Sequence, residues 1–222
     1  MNEFVIHSIP GSPFGRAVFI TLEEKYAFYR LAAVAPATLR APEHLARHPF
    51  GRIPVMEHGG FRLYETQAIV RYIDRALPTP PLTPRDPKAA ARMDQIMNIT
   101  DWYLFQGVAG VIGLQRIVGP CLMGINPDED AIAAAMPKAQ TVFKELARQL
   151  GDSDYFVGHS LTLADILLAP HLEVFRTMPA WLPLTEKAPN LRAWLDRMNK
   201  RASFQATSRE NIARMDRSSA TA

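Results

Sequence analysis

The sequence predicts an α+β domain followed by an all-α helical domain. Strand and helix signals alternate over the first 77 residues, in the order strand–helix–strand and then strand–strand–helix. The next stretch, LPTPPLTPRDPK, holds five prolines, a density that excludes both a helix and a central strand. Helical patterns fill the rest of the chain. We therefore predict a first domain at 1–77, a proline-rich linker at 78–87 and a helical domain at 88–222.

The elements of the first domain follow from their local patterns. EFVIHSI and YRLAAVA are short apolar runs typical of strands, and between them SPFGRAVFITLEEK places Val18 and Leu22 on one helix face. APEHLARHP predicts a short helix or turn. IPVMEHGGFRLYE predicts a hairpin that turns at Gly59-Gly60, and TQAIVRYIDRAL predicts the closing helix. Together these elements predict a small mixed sheet covered by helices.

The second domain is helical in every segment. The patterns predict helices at about 88–118, 128–150, 162–178, 189–201 and 203–214. Gly119-Pro120 is expected to end the first helix, and Pro137 to kink the second or delay its start. Thr162 and Asp165 form a predicted capping box, with Leu161 and Ile166 as the hydrophobic staple around it.

Composition and charge exclude several classes of function. A formal charge of +3 on 222 residues gives no reason to expect a nucleic-acid or membrane partner. The single cysteine, Cys121, excludes an internal disulfide framework and fits a reducing compartment. The first residues lack a signal-peptide pattern, and the longest apolar run, GVAGVIGL, is too short to span a bilayer. We expect a cytoplasmic protein.

Two patterns that resemble cofactor sites do not meet the requirements for one. EHLARH spaces His44 and His48 like a pair of metal ligands, but it is not HExxH and no third ligand is evident. GVAGVIG lacks the GxGxxG spacing after a strand that dinucleotides need. We therefore expect neither a metal nor a nucleotide.

Pro54, in FGRIPVM, stands where a buried strand begins, although proline cannot donate to a strand ladder. A cis Ile53–Pro54 bond would turn the neighbouring backbone outward, where a peptide-like ligand can pair with it. The alternative is a trans proline on an edge strand.

The stretch PEHLARHPFGRIPVMEHGGFRLYETQAIVRYI resembles the cytosolic glutathione transferase family. That family carries an N-P-x-G-x-[VI]-P block before a hairpin and an E-[ST]-x-A-I helix start; here His48 takes the first position. GSPFGRAV is similar to the serine motifs of tau- and theta-type members, and the likeness spans about residues 4–205. It implies a thioredoxin-like first domain with a cis-proline, glutathione as cosubstrate and a homodimer.

The resemblance also implies where glutathione binds. Ile53, beside Pro54, would pair its backbone with the cysteinyl unit. Glu65 and Thr66, at a helix start, would hold the γ-glutamyl group, because free N–H groups and the helix dipole stabilise a carboxylate. A plain helix cap is the alternative for Thr66. Arg40 and Arg52 would receive the glycine carboxylate; the usual histidine before the first of these cations is replaced by Leu39.

The chemistry requires the glutathione thiol to become a thiolate. Holding a thiol with a pKa of about 8.5 ionised at neutral pH takes roughly 2–3 kcal/mol, within the reach of one hydroxyl at a helix start. Ser12 is a natural N-cap before Pro13, and the resemblance assigns it that role. Ser8, near the end of the first strand, is the competitor. No tyrosine precedes Tyr26, so the tyrosine-based classes do not fit.

The second substrate should lie between the domains. Its candidate contacts are aromatic or acidic residues at the first helix of each domain: Phe14, Asp101, Tyr103 and Phe105. Core packing is the alternative for such an aromatic run. The sequence thus predicts a glutathione transferase acting on a small, apolar electrophile. The alternatives are a non-catalytic scaffold or interaction protein with this fold, and a specialised glutathione-dependent isomerase or dehalogenase.

Overall fold

The computed structural model describes residues 3–219 of the chain, except the side chains at 122 and 216–219. The chain forms two compact units. The first is built from the residues up to Leu82 together with those from Asn199 onward, and the second is Thr83–Met198. The C-terminal residues therefore pack in the first unit, whereas the sequence boundaries placed them in the helical domain. Positions 1–2 and 220–222 of the predicted domains lie outside the described residues.

The first unit contains a four-stranded mixed sheet in the order β2-β1-β3-β4. Its strands are β1, Phe4–Ser8; β2, Tyr29–Ala33; β3, Val55–His58; and β4, Phe61–Tyr64. β1 pairs in parallel with β2 and antiparallel with β3, and β4 returns antiparallel to β3 through the predicted Gly59-Gly60 turn. Phe4, Ile6 and Ser8 alternate on the buried face of β1, as the period of a half-covered strand requires.

Three helices accompany the sheet: α1, Pro13–Glu24; α2, Pro42–Leu45; and α3, Thr66–Ala76, with a 3₁₀ turn at Pro36–Thr38. The order β1-α1-β2-α2-β3-β4-α3 confirms the predicted thioredoxin-like half. α1 and α3 contact each other, and their apolar residues, such as Val18 and Ile69, are fully buried. Burying these faces against the sheet stabilises the unit through the hydrophobic effect.

The proline-rich segment is fastened to the first unit by a buried ion pair. Lys25 Nζ lies 2.5 Å from Asp74 Oδ1 and also donates to the carbonyl of Pro80. The same Asp74 oxygen accepts the N–H of Leu82 at 2.9 Å. Each buried charge thus has its partner, and removing one partner would cost about 3–5 kcal/mol.

The second unit is helical throughout, which confirms the predicted class. It begins with α4, Pro87–Asn98, which continues into a π-helical stretch at Ile99–Ala109, a short turn α5 at Gly110–Gly113 and a second π-helical stretch at Leu114–Met123. The other helices are α6, Glu129–Leu150; α7, Leu163–Arg176; α8, Trp181–Thr185; and α9, Pro189–Asn199. The sequence patterns missed α8, which is too short to establish a helical period.

Pro120 does not act as predicted, and of the two effects predicted for Pro137, a kink or a late helix start, the late start is not observed. The first helical run passes through Pro120 and ends at Met123, where Gly124 takes a left-handed conformation. The wider turns of a π-helix accommodate a residue without an N–H better than a regular turn does. α6 starts at Glu129 and continues past Pro137, so that proline does not delay the start.

By length and composition alone, the helical run Pro87–Cys121 is long and apolar enough to cross a membrane. The sequence reading considered only the much shorter run GVAGVIGL and expected no span. A single such helix is weak support for a span, because core helices of soluble proteins pass the same test.

The last two helices belong to the first unit. The sequence predicted one segment at 203–214, but the chain forms α10, Ala202–Ala206, and α11, Arg209–Ser219. Ser208 separates them, and its Oγ accepts the N–H of Asn211 at 3.2 Å, which caps α11. α10 contacts α1, and α11 contacts β2.

Candidate functional site

The predicted glutathione residues come together at one end of the sheet. Ser8, the last residue of β1, pairs with Ala33, the last residue of β2, and His7 pairs with Val55, the first residue of β3. Val55 in turn pairs with Tyr64, the last residue of β4. The segments that leave or enter the strands at this end carry all the residues in question: Ser12, Arg40, Arg52, Ile53, Pro54, Glu65 and Thr66.

Ser12 caps α1 at this end of the sheet. Its backbone is extended, Pro13 takes the first helical position, and its Oγ accepts the N–H of Gly15 at 3.3 Å. Ser12 is partly exposed, and its hydroxyl accepts only one hydrogen bond in the described structure, so its hydrogen can be donated to a bound ligand. The positive end of the α1 dipole favours negative charge on that atom. This arrangement can stabilise a thiolate.

Ser8 has no such access. Its side chain is 0% exposed, and its Oγ has no hydrogen-bond partner among the described residues. α1 crosses directly above it, since a Cβ placed on Gly15 would lie 2.0 Å from the Ser8 Oγ. An external thiol therefore has no path to this hydroxyl, and the geometry favours Ser12 of the two serines.

The Ile53–Pro54 peptide bond, just before β3, is cis as predicted. Ile53 is partly exposed, and its backbone groups form no hydrogen bond within residues 3–219, so they can pair with an extended ligand. Arg52 is held by its carbonyl, which lies 2.8 Å from Nε2 of the buried His44. His44 thus has a structural partner, and no group of three metal-ligating side chains occurs in the described part of the chain.

Arg40 reaches the same segment from the other side. Its Nη1 donates to the carbonyl of Phe50 at 3.3 Å, which brings the guanidinium close to the loop that carries Arg52. Both arginine side chains are exposed. Two cations at one loop are suited to a carboxylate.

Glu65 holds a strained backbone conformation at the start of α3. Its φ of 72° lies in the left-handed region, which a residue with a Cβ adopts only at a cost of about 1–3 kcal/mol. The Glu65 side chain is exposed, while Thr66 is buried. Strain of this kind concentrates at ligand sites, and here it places a carboxylate beside the start of α3, where the first N–H groups have no acceptor within the helix.

A buried histidine stands behind this carboxylate. The pKa of His48 is lowered, chiefly by burial, although the negative charge of Glu65 acts in the opposite direction. The ring of His48 packs against the ring of Tyr64 in a tilted arrangement, with the ring centroids 4.6 Å apart. The lowered pKa favours neutral His48, so this ring adds no positive charge beside Glu65 at neutral pH.

The four predicted electrophile contacts fall in both units. Phe14 lies in the first turn of α1, in the first unit. Asp101, Tyr103 and Phe105 lie in the first π-helical stretch of the second unit. Tyr103 is 64% exposed, and Phe105 is partly exposed with its ring edge-on to His171 at 6.0 Å. Their roles stay predictions.

One neighbour of the site was missed by sequence reasoning. Arg209, at the start of α11, lies against Gly11, the residue before Ser12. The two positions are almost the whole chain apart, and no local pattern in RENIARM points to a partner near the first helix. Only the folded structure brings them together.

The chain matches two family models. The glutathione S-transferase N-terminal domain matches residues 6–81, and the glutathione S-transferase C-terminal domain matches residues 110–202. The probable glutathione S-transferase GSTF1 of Oryza sativa subsp. japonica is 28% identical over 193 residues, covering 85% of this chain and 87% of the rice protein. Other curated relatives are also named glutathione S-transferases, among them proteins of Arabidopsis thaliana and Hypomyces subiculosus.

Solved structures share the fold. Glutathione transferase F7 from Populus trichocarpa superposes with a TM-score of 0.83 at 24% identity, covering 96% of this chain and 99% of the poplar chain. Glutathione S-transferase-I, solved with the ligand lactoylglutathione, gives a TM-score of 0.82 at 23% identity, covering 92% and 98% of the two chains.

Proposed function

Because this chain belongs to the glutathione S-transferase family, we propose that it adds the glutathione thiolate to a small, apolar electrophile. One observation carries the proposal: Ser12, a partly exposed residue, caps α1 at the sheet end where the Ile53–Pro54 segment and the Glu65–Thr66 helix start also lie. A thiol donor bound across these segments has its sulfur beside that hydroxyl.

Glutathione is held by three kinds of contact in this proposal. Its α-carboxylate accepts hydrogen bonds from N–H groups in the first turn of α3, and its ammonium lies near Glu65. Its cysteinyl backbone pairs with Ile53. Its glycine carboxylate faces Arg40 and Arg52, whose exposed guanidinium groups border one loop. These contacts leave the sulfur to Ser12.

The Ser12 hydroxyl donates a hydrogen bond to the thiolate sulfur. A hydrogen bond to a charged group contributes about 1.5–3 kcal/mol, and the helix end adds up to about 2 kcal/mol. That range covers the roughly 2–3 kcal/mol needed to hold the thiol ionised at pH 7.

The ionised sulfur then attacks an electrophilic carbon. With an organic halide, a carbon–sulfur bond forms as the carbon–halogen bond breaks and halide leaves. With an enone, the carbon–sulfur bond forms at the β-carbon, and the resulting enolate takes a proton from water. Phe14, Asp101, Tyr103 and Phe105 are the proposed contacts of this second substrate.

We further propose a homodimer. Large apolar side chains remain exposed in the single chain, among them Trp102 at 63% and Tyr103 at 64%. Exposed aromatic side chains are typical of surfaces that a partner covers. Sedimentation equilibrium tests this point, and a monomer at micromolar concentration would contradict it.

A role in detoxification in the cytoplasm completes the proposal. The single cysteine, Cys121, fits a reducing compartment. The proposal includes neither a metal, a nucleotide, a nucleic acid nor a membrane as partner. Fractionation of cells that produce the protein from its own gene tests the location.

Steady-state conjugation kinetics test the reaction. Glutathione and a panel of aryl halides, epoxides and enones are followed by product absorbance and thiol loss. We expect Ser12→Ala to lower kcat/KM roughly 10²-fold, which corresponds to about 2.7 kcal/mol of transition-state stabilisation. Ser8→Ala is the matched control and should retain wild-type rates. Absence of conjugation with every substrate class would contradict the proposed function.

A further inference from the structure

The C-terminal segment is fastened to α1 at two places. Glu24, the last residue of α1, receives Arg201 Nε at 3.0 Å and Nη2 at 2.9 Å, and Ser203 Oγ donates to it at 2.5 Å. The second contact involves Phe204, one residue after Ser203, whose carbonyl accepts Arg16 Nη2 at 2.9 Å; Arg16 lies about two turns before Glu24 in α1. The Arg16 guanidinium also lies 5.8 Å from the centre of the Phe204 ring. These contacts fix α10 along the helix that Ser12 caps.

From there the chain turns back toward the start of α1. Asn211 Nδ2 donates to the carbonyl of Gln205 at 2.8 Å, and Ile212 is buried, so the turn between α10 and α11 is held in place. α11 packs on β2. Its first residue, Arg209, therefore has a defined position in the first unit.

Arg209 lies directly on Gly11. A Cβ placed on Gly11 would be 3.3 Å from the Arg209 Cδ and Nε and 3.5 Å from its Cγ. Gly11 has a φ of 94°, a conformation that a glycine can leave easily because it has no side chain to restrict it. Both residues are exposed, and the aliphatic stem of Arg209 lies beside the most permissive backbone position next to Ser12.

We propose that α10 and α11 form part of the thiol site, with Arg209 as a positioning residue for Ser12. In this proposal the Arg209 stem beside Gly11 restricts the Ile9–Ser12 turn, which a hydrogen bond of 3.0 Å from Ser12 N to the Ile9 carbonyl closes. The direction of the Ser12 hydroxyl follows from that turn. The inference rests on the proposed function, and α11 lies beyond residue 202, where the match to the C-terminal domain model ends.

Three variants separate this role from a general loss of charge or fold. Arg209→Ala removes the stem, Arg209→Lys keeps the stem and the charge, and Arg214→Ala removes one exposed positive charge from the same helix. We expect Arg209→Ala to lower kcat roughly tenfold, because small misplacements of a reacting group are costly. The KM for glutathione should change by less than about twofold, since Glu65 and Thr66 are untouched.

The thiol ionisation of bound glutathione is the second readout. Its midpoint should move toward that of free glutathione in Arg209→Ala, while Arg209→Lys and Arg214→Ala keep the wild-type midpoint. A purely structural role would lower the amount of folded enzyme without moving this midpoint. Should Arg209→Ala not fold, Glu24→Ala carries the test. It releases α10 at the far end of α1 and should also lower kcat with an unchanged KM.

Two failures are distinguishable. If folded Arg209→Ala, or in its place Glu24→Ala, matches Arg214→Ala in kcat and in midpoint, the positioning role is wrong while the transferase function stands. If wild-type protein neither shifts the glutathione thiol nor conjugates any substrate, the proposed function fails, and this inference fails with it.

Discussion

Two helix starts in this chain look alike in sequence but are built differently. α1 and α7 both begin after a hydroxyl residue, Ser12 and Thr162. At α7 the cap is closed: Thr162 is buried, and Asp165 below it accepts four hydrogen bonds. At α1 the cap is open: Ser12 is partly exposed, and its hydroxyl accepts one hydrogen bond, from Gly15 N–H. Burial and the number of satisfied partners, rather than the residue type, separate a structural cap from a reactive one.

Of the variants considered, the one that removes the closed cap should lower the free energy of unfolding most. Asp165 accepts the N–H groups of Phe156 at 2.9 Å and Thr162 at 3.0 Å, the Thr162 hydroxyl at 2.9 Å and the Trp194 indole at 3.1 Å. Asp165→Ala leaves these buried donors without an acceptor, so we expect a loss of about 3–5 kcal/mol in the free energy of unfolding. Urea denaturation measures it.

An exposed cap provides the matched control. Asp86 caps α4 through one hydrogen bond of 2.8 Å to Ala89 N, and Asp86→Ala should cost about 1 kcal/mol. Equal losses for the two variants would contradict the distinction between closed and exposed caps.

Acid should also lower the free energy of unfolding, through the buried His171 on α7. His171, one and a half turns after Asp165, is buried on α7, and its Nδ1 bonds the Leu167 carbonyl at 2.9 Å. Burial lowers the His171 pKa from 6.5 to about 4. The unfolded chain therefore binds the proton first, and stability present above pH 6.5 is lost as the pH falls toward 4, by about 3 kcal/mol.

Denaturation between pH 7.5 and pH 4.5 measures this loss, with His171→Gln as the comparison. The variant should be less stable at neutral pH and should lose less on acidification. The same slope in both proteins would show that other groups carry the acid sensitivity.

Two substitutions of Glu65 extend the comparison of helix starts to α3. Glycine adopts a φ of 72° without strain, so Glu65→Gly should raise the free energy of unfolding by about 1 kcal/mol. It should also weaken glutathione binding, because the ammonium loses its partner. Glu65→Gln keeps the strain and removes only the charge, so it should weaken binding with unchanged stability. Calorimetric titration and urea denaturation of both variants decide whether strain and binding are coupled as proposed; a Glu65→Gly protein that binds as the wild type does would contradict the account.

The smallest effect is expected at Ser8. Its hydroxyl is buried without a hydrogen-bond partner among the described residues, so Ser8→Ala should change stability by less than about 1 kcal/mol. A stability loss well above that value would mean that the hydroxyl has a role in packing under α1.

The sequence was informative where chemistry is local. The βαβ–ββα order, the hairpin at Gly59-Gly60 and the capping box at Thr162 and Asp165 all follow from short patterns, and the fold confirms them. The convergence of the predicted glutathione-binding residues could be anticipated only through the family resemblance, because no single segment of the sequence specifies the strand order. The burial of Ser8 under α1 could be recognised only from the folded structure.

Long-range contacts and irregular helices could not be predicted from the sequence. The contact between Gly11 and Arg209 joins opposite ends of the chain, and no period or motif encodes it. The helical run through Pro120 depends on π-helical turns, which local propensity does not predict. α8 is held by burial of Trp181 and Leu184 rather than by its own length.

The most direct test of the account is the ionisation of glutathione bound to this protein. Thiolate absorbance near 240 nm is titrated from pH 5 to pH 10 with wild type, Ser12→Ala and Ser8→Ala, at saturating glutathione. We expect a midpoint roughly two pH units below that of free glutathione for wild type and Ser8→Ala, and loss of most of that shift in Ser12→Ala. A wild-type midpoint equal to that of free glutathione, or an unchanged shift in Ser12→Ala, would contradict the assignment of the open cap as the thiol-activating group.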